Sequence, residues 1–484
     1  MLCREQQRFE SDIGESVLLI EGLWLKTEAQ LESLRAIWKT LQPALQVHYT
    51  DALERLERKI VVAVEGVQHI RKLRATDANT YQKLKALQLK KYLKKTVLDL
   101  EDWQRRFDPS WYLITRIANP QVDKQLKDGV PNQSPSTARL ARMREAIKEA
   151  PDSDCTGSIF INASSIKSYS HVIPGTNTFV AMYQHTARTV ILDRTSYNSL
   201  TAPMTAKTYV RDLARLLLNI DPMTFGLLKC EGVIEVPDKD GVQFQFVLEV
   251  PRGLSSPKSL RTLLMETPRC SLSHRIQLAK QLARSVMFVH TAGFVHKNIR
   301  PETILVFADD FNPLGPSFLS GFERVRRSGA PTEQSGDLEW EKNLYRHPAR
   351  QGLWPEELYI MQHDIYSLGV CLLELALWQS FVHYNDDTAS PWEELDISEA
   401  MSDKDRRRGA FAIKRGLVAM TEDRLPSLIG DRYTKLTVAC LNCLNGSNDN
   451  TFGTQSELMD KDGIIVGVRY IEKVSQLVDE RNIC

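Results

Sequence analysis

The sequence predicts an α+β protein in two parts, an all-α helical bundle followed by a domain whose strands come first and whose helices come later. Three observations carry this. Long runs with apolar residues three and four apart occupy the chain as far as Ile117. A stretch rich in proline, glycine and small polar residues then follows, between Asn119 and Ser136. From about Ser158 the pattern changes to short β-like runs, and beyond Val250 to helix.

The first helical run places Phe9, Ile13, Val17, Ile20, Trp24, Leu31, Leu34, Trp38 and Leu41 on one stripe, and Pro43 is expected to end or kink it. A second passes through Leu53, Leu56, Ile60, Val64 and Val67, and a third begins near Tyr81 and reaches Trp103. Three amphipathic helices bury their stripes against one another, so residues 1–118 are read as a bundle. Residues 119–157 are read as a linker containing a short helix, Thr137 to Ala150.

The third helix carries Lys83, Lys85, Lys90, Lys91, Lys94 and Lys95 with leucines between them. Such a helix can lie on an anionic membrane surface, although charge runs usually face solvent and that reading is favoured.

The chain has 484 residues, 42% hydrophobic and 25% charged, which is room for two or three globular domains. A net charge of +1 argues against a general nucleic-acid binder. Eight cysteines at irregular spacings fit a reducing compartment, and Cys440 and Cys443, without a second pair or a nearby His, are expected as buried thiols and not a zinc site. Polar residues after Met1, and no apolar run of roughly 18 residues, predict a cytoplasmic protein, with membrane association only through the lysine helix. Arg406, Arg407 and Arg408 are expected on a solvated helix face.

In the second part the expected strands are SIFIN, NTFVAMYQ and RTVILDR, then a helix from Tyr209 to Leu218, then VIEV and QFQFVLEV around a PDKDG turn. A long helix, Ser271 to Ala292, leads into FVHKNIRPETILV, residues 294–306. The C-terminal stretch IIVGVRYIEKVSQLVDERNIC is read as a closing strand or helix pair.

Against the pattern H-R-D-L-K-P-E-N-I-L, the FVHKNIRPETILV stretch puts His296 at the His, Lys297 at the Arg, Asn298 at the Asp, Arg300 at the Lys and Thr303 at the Asn. Further on, Gly321, Phe322 and Glu323 stand where D-F-G is found. Tyr345-Arg346-His347-Pro348-Ala349 is similar to Y-R-A-P-E without its Glu, and Asp364-Ile365-Tyr366-Ser367-Leu368-Gly369 matches D-x-x-S-x-G. On these motifs, residues 158 to about 480 resemble the protein-kinase superfamily. The resemblance implies a bilobal domain, small lobe about 158–250 and large lobe about 251–484.

The departures fall on the chemistry. An amide at 298 cannot serve as the carboxylate base, a hydroxyl at 303 is a poorer metal ligand than an amide carbonyl, and a glycine at 321 supplies no ligand. No G-x-G-x-x-G is present, only Gly157 and Gly175. The strand expected to carry the nucleotide lysine offers Arg194, and the helix expected to supply its Glu partner offers Asp212, a candidate strand-to-helix pair. The resemblance therefore implies a pseudokinase that signals through conformational change and contacts with other proteins, with no competent catalytic residue and no metal site. ATP without magnesium is the cofactor it leaves open. Two alternatives stay open: an unconventional active kinase transferring ATP phosphate to Ser/Thr, and a membrane-acting bundle regulated by the kinase-like domain.

SDIGESVLLIEGLWLKTEAQLESLRAIW followed by RLERKIVVAVEGV is similar to the HeLo-type bundles of fungal prion-inhibition and propagation proteins, and in architecture to mixed lineage kinase domain-like proteins. That likeness implies a part in regulating cell death. No Gly/Ala-rich apolar helix precedes Phe9, a departure from that pattern.

Overall fold

The computed structural model describes residues 2–72, 78–112, 114, 120–128, 135–148, 159–184, 188–198, 203–237, 241–266, 269–309, 312–322, 326–327, 338–352, 359–385 and 388–445. The chain forms two compact units, Met1–Arg142 and Met143–Cys484.

The first unit contains α1 (Leu2–Ile37), α2 (Pro43–Lys72), α3 (Ala78–Tyr112) and α4 (Pro120–Asp128), and α5 (Pro135–Lys148) begins within it. Pro43 opens α2 instead of ending α1, which already stops at Ile37; a proline lacks only an N–H that a first helical residue does not use. The α3 helix packs against both α1 and α2. Its stripe is aromatic: Trp103, Phe107 and Trp111 lie one turn apart, with the Trp103 and Phe107 rings stacked at 4.5 Å. The Trp103 indole donates to the Ala52 carbonyl at 2.9 Å, so its polar edge fixes α3 against α2 while its rings fill the core. The stretch expected as linker is in part structured, since Val122 and Leu126 of α4 are buried and the helix packs on α1. Turn residues around it mark the ends of α4 and mask its two apolar anchors.

The second unit opens with β1 (Ile166–Val172), β2 (Thr178–Tyr183) and β3 (Thr189–Asn198), followed by α6 (Pro203–Leu218), a single turn α7 (Pro222–Phe225), β4 (Cys230–Pro237) and β5 (Gly241–Glu249). All neighbours are antiparallel, in the order β1-β2-β3-β5-β4. Val190 and Leu192 join Ala181, Ile234 and Val247 in one core cluster, and α6 packs on β4 and β5.

The first expected strand is displaced. SIFIN does not begin the hairpin; Phe160 bridges to Val233 in parallel, at the far edge of the sheet. It fits there because Gly232 has no side chain, and a Cβ at 232 would lie 2.8 Å from Ile161 Cγ2. The real first strand, IKSYSHV, carries too little apolar alternation to stand out in the sequence.

The large lobe begins with β6 (Ser255–Ser259), α8 (Leu260–Glu266), α9 (Leu272–Thr291) and β7 (Phe294–Val295), then β8 (Ile304–Ala308), β9 (Ser317–Leu319), β10 (Arg326–Arg327) and α10 (Trp340–Asn343). It continues with α11 (Met361–Leu377), β11 (Val382–Asn385), β12 (Thr388–Pro391), α12 (Ser398–Met401), α13 (Arg406–Ile429) and α14 (Asp431–Leu441). The apolar run after Asp364 is α11, buried from Met361 to Ala376 between α9 and α14. Cys440 and Cys443 are buried free thiols, and burial pushes the Cys443 thiol up to about 12. Arg406, Arg407 and Arg408 are exposed at the start of α13. The closing segment IIVGVRYIEKVSQLVDERNIC lies outside the described residues, as does Glu323.

No helix among the described residues is long and apolar enough to cross a membrane. The five-stranded curled sheet followed by a helical lobe is a bilobal kinase-like fold, so the chain is of α+β class with an N-terminal helical region.

Candidate functional site

The loop between β7 and β8 is shaped from beneath by Asp364, at the start of α11. Its fully buried carboxylate accepts four hydrogen bonds: His296 N–H (2.8 Å), Lys297 N–H (2.9 Å), Tyr359 O–H (2.6 Å) and His290 Nε2 (3.0 Å). Burial alone would raise its pKa, but the hydrogen bond and charge from His290 lead the opposing effects and hold it down at about 2. Lys297 has φ +67, a left-handed conformation that costs a non-glycine residue about 1–3 kcal/mol. Two of the four bonds to Asp364 flank that strained peptide and offset it.

His296 is fully buried and uncharged, its pKa lowered to about 4 by burial. Its Nε2 lies 3.0 Å from the Ser320 carbonyl and must donate to it, which leaves Nδ1 to accept the Asn298 N–H at 3.3 Å. Its ring meets Phe322 at 5.0 Å, and Phe322 meets Phe246 of β5 at 6.3 Å. These three rings form a column from the loop into the small lobe.

The positions that carry chemistry in the resembling pattern are occupied with one another. The Asn298 side-chain amide donates to the Gly321 carbonyl at 3.3 Å. The Thr303 hydroxyl sits 2.8 Å from the Asn298 carbonyl and 2.9 Å from that of Arg300, and accepts the Arg300 N–H at 3.2 Å. Gly321 adopts φ +76, and a Cβ there would lie 2.4 Å from Thr303 Cγ2, so neither the backbone nor the space admits a side chain.

Arg300, half-buried, adds its charge to that of Arg261 in lowering the pKa of Glu302 against the effect of burial. Glu302, the sole carboxylate of the loop, is held through one oxygen: Arg261 Nε donates to its Oε1 at 3.1 Å and the Tyr384 hydroxyl at 3.3 Å. The same guanidinium reaches Glu374 (2.8 Å), Ser380 Oγ (2.7 Å) and the Tyr345 hydroxyl, all buried. Glu374 moves the other way from Glu302, its pKa raised by burial against the Arg261 charge. One cation shared by two buried carboxylates explains the divergence.

The Arg194 and Asp212 pair does not form. Successive strand residues point to opposite faces, and Arg194 shares the face of Leu192, where its guanidinium lies 3.9 Å over the Phe179 ring. Asp212 has the neighbouring Arg211 at 3.6 Å. The residue that enters the cleft is Asp193, fully buried, whose Oδ2 accepts the Gly321 N–H at 2.7 Å and the Phe322 N–H at 3.3 Å. Strand alternation alone would have found it. Arg261 and Glu374 were beyond reach, since 113 residues separate them.

Among the described residues no group of three or more His, Cys, Asp or Glu is placed to hold a metal ion. No family model matches the chain. It is 28% identical over 149 residues to a probable serine/threonine-protein kinase of Clostridium acetobutylicum, covering 31% of this chain and 20% of that protein. It is 27% identical over 161 residues to serine/threonine-protein kinase PknA of Mycobacterium tuberculosis, covering 30% and 33%. Rat eukaryotic translation initiation factor 2-alpha kinase 1 is 29% identical over 117 residues, covering 22% and 18%. The chain thus spans a third or less of the length of these relatives. With the bilobal fold and the loop scaffold, these likenesses relate it to the protein-kinase superfamily.

Proposed function

We propose that the kinase-like unit transfers no phosphate and acts in signalling, through its conformation and through contacts with other proteins. The observation that carries this reading is the bond between Asn298 and Gly321. It joins the place of the base to the place of a metal ligand, and neither residue offers a carboxylate. The donor set does not fit a magnesium-bound nucleotide, because the Thr303 hydroxyl is held by the loop backbone and the strand supplies a carboxylate, Asp193, in place of a cation. What the loop retains is its scaffold. In this reading the HeLo-like character of the first unit supplies the output, in regulated cell death.

The test is incubation of the purified full-length protein with radiolabelled ATP and magnesium or manganese. No incorporation above a heat-killed control is expected. Incorporation that disappears in Asn298→Ala would establish an unconventional active kinase instead.

A second reading, a membrane-acting first unit, draws on α3, where Leu87, Lys91, Lys94, Lys95 and Leu98 are all exposed. Leucines flanked by lysines on one solvent face suit an anionic lipid surface. It predicts that the full-length protein sediments with phosphatidylserine vesicles at low salt and is released by salt. No sedimentation at low salt excludes it.

A further inference from the structure

We propose that Asp193 is a built-in anion that closes the cleft from within, tying β3 of the small lobe to the segment after β9 of the large lobe without a nucleotide. A fully buried carboxylate persists only where donors meet it, and here two consecutive amides, Gly321 and Phe322, converge on one oxygen. Successive backbone N–H groups around a left-handed residue make a concavity that binds anions, and Gly321 is that residue, at φ +76. The protein therefore has an anion site in the cleft and fills it with its own side chain.

The placement is rigid. Asp193 lies on the third strand of the sheet, paired with Thr178 on one side and Phe246 on the other. Phe246 also contacts Phe322, so an apolar contact and a charged one join the same two segments. The bond continues into the loop, since the carbonyl of Gly321 accepts from Asn298. Releasing Asp193 frees the N–H of a residue whose carbonyl is tied to Asn298, which couples the small lobe to the changed catalytic loop. The strand's neighbouring cation, Arg194, is committed to the opposite face over Phe179.

This inference rests on the non-catalytic reading and adds its control: closure is set by the chain, and a phosphate-bearing ligand meets a like charge that already holds the amides it needs. A signal that opens the unit acts by separating Asp193 from Gly321.

Hydrogen exchange of the full-length protein tests it, comparing wild type with Asp193→Asn and each with and without 1 mM ATP, in magnesium and in EDTA. A charge-assisted bond of this kind predicts that Asp193→Asn speeds exchange at Gly321 and Phe322 by about tenfold or more, with the amides of β5 and β8 unchanged. In wild type, protection at the two amides is expected to be the same with and without ATP. Equal protection in variant and wild type overturns the proposal. Should the variant not fold, the wild type decides: a change at 321–322 on adding ATP overturns the proposal, and none supports it. Nucleotide-sensitive exchange without phosphate transfer removes the latch and leaves the pseudokinase reading standing; phosphate transfer removes that reading itself.

Discussion

Thr303 fills the volume that a side chain at Gly321 would need: a Cβ at 321 would stand 2.4 Å from its methyl carbon and 2.9 Å from its own Cβ. The two departures from the kinase pattern are therefore one steric unit. Gly321→Ala is expected to cost roughly 2–4 kcal/mol, from left-handed backbone and overpacking together. Adding Thr303→Ser, which removes the methyl, should recover part of that loss. Urea unfolding of the two single variants and the double variant measures the coupling, and strict additivity would contradict the steric account.

Placing a carboxylate at 298 is not expected to give phosphate transfer. In Asn298→Asp an acceptor faces the Gly321 carbonyl where a donor stood, so a loss of about 1–3 kcal/mol is expected, with no phosphate incorporation. Unfolding curves and the radiolabel assay read the two outcomes separately.

Buried His296 gives a definite pH dependence. Its folded pKa of about 4 lies below the ordinary 6.5, so the unfolded chain binds its proton first as pH falls. The stabilisation is complete above pH 6.5 and is lost between 6.5 and 4, and a shift of this size is worth about 3 kcal/mol. Asp364, depressed to about 2 from 3.8, adds a further loss between those values. Denaturant midpoints at pH 7, 5.5 and 4.5 should fall in that order, and His296→Gln should flatten the slope.

Arg261 holds two carboxylates of opposite tendency, and removing it takes from both, while buried, the cation that they share. Arg261→Met should cost about 3–5 kcal/mol. Glu374→Gln should cost less, because burial already favours the protonated form of Glu374. A thermal-unfolding series that ranks Glu374→Gln as the more damaging would refute this ordering.

The sequence made legible what depends on local pattern and short motifs. The α11 helix, the α9 helix and the order of strands around α6 follow from periodicity, spacing and motif. β1 escaped because IKSYSHV alternates weakly, and the segment before it carries the apolar density. The site was legible in its departures from the kinase pattern, at Asn298, Thr303 and Gly321, since each reads off a motif. It was not legible in its replacements. Arg194 attracted attention as the cation in the strand, while its neighbour Asp193 makes the contact, a one-residue difference that reverses the sign of the charge. Arg261, Glu302 and Glu374 meet only after the lobe has folded, so no window of sequence contains their relationship.

The four bonds converging on Asp364 place the memory of the loop's shape in a helix and not in the loop. Two of the donors are main-chain N–H groups, which any residue type except proline supplies. Side chains facing the cleft can therefore be exchanged while the path of the chain persists, so the outline of the loop does not depend on which side chains it carries.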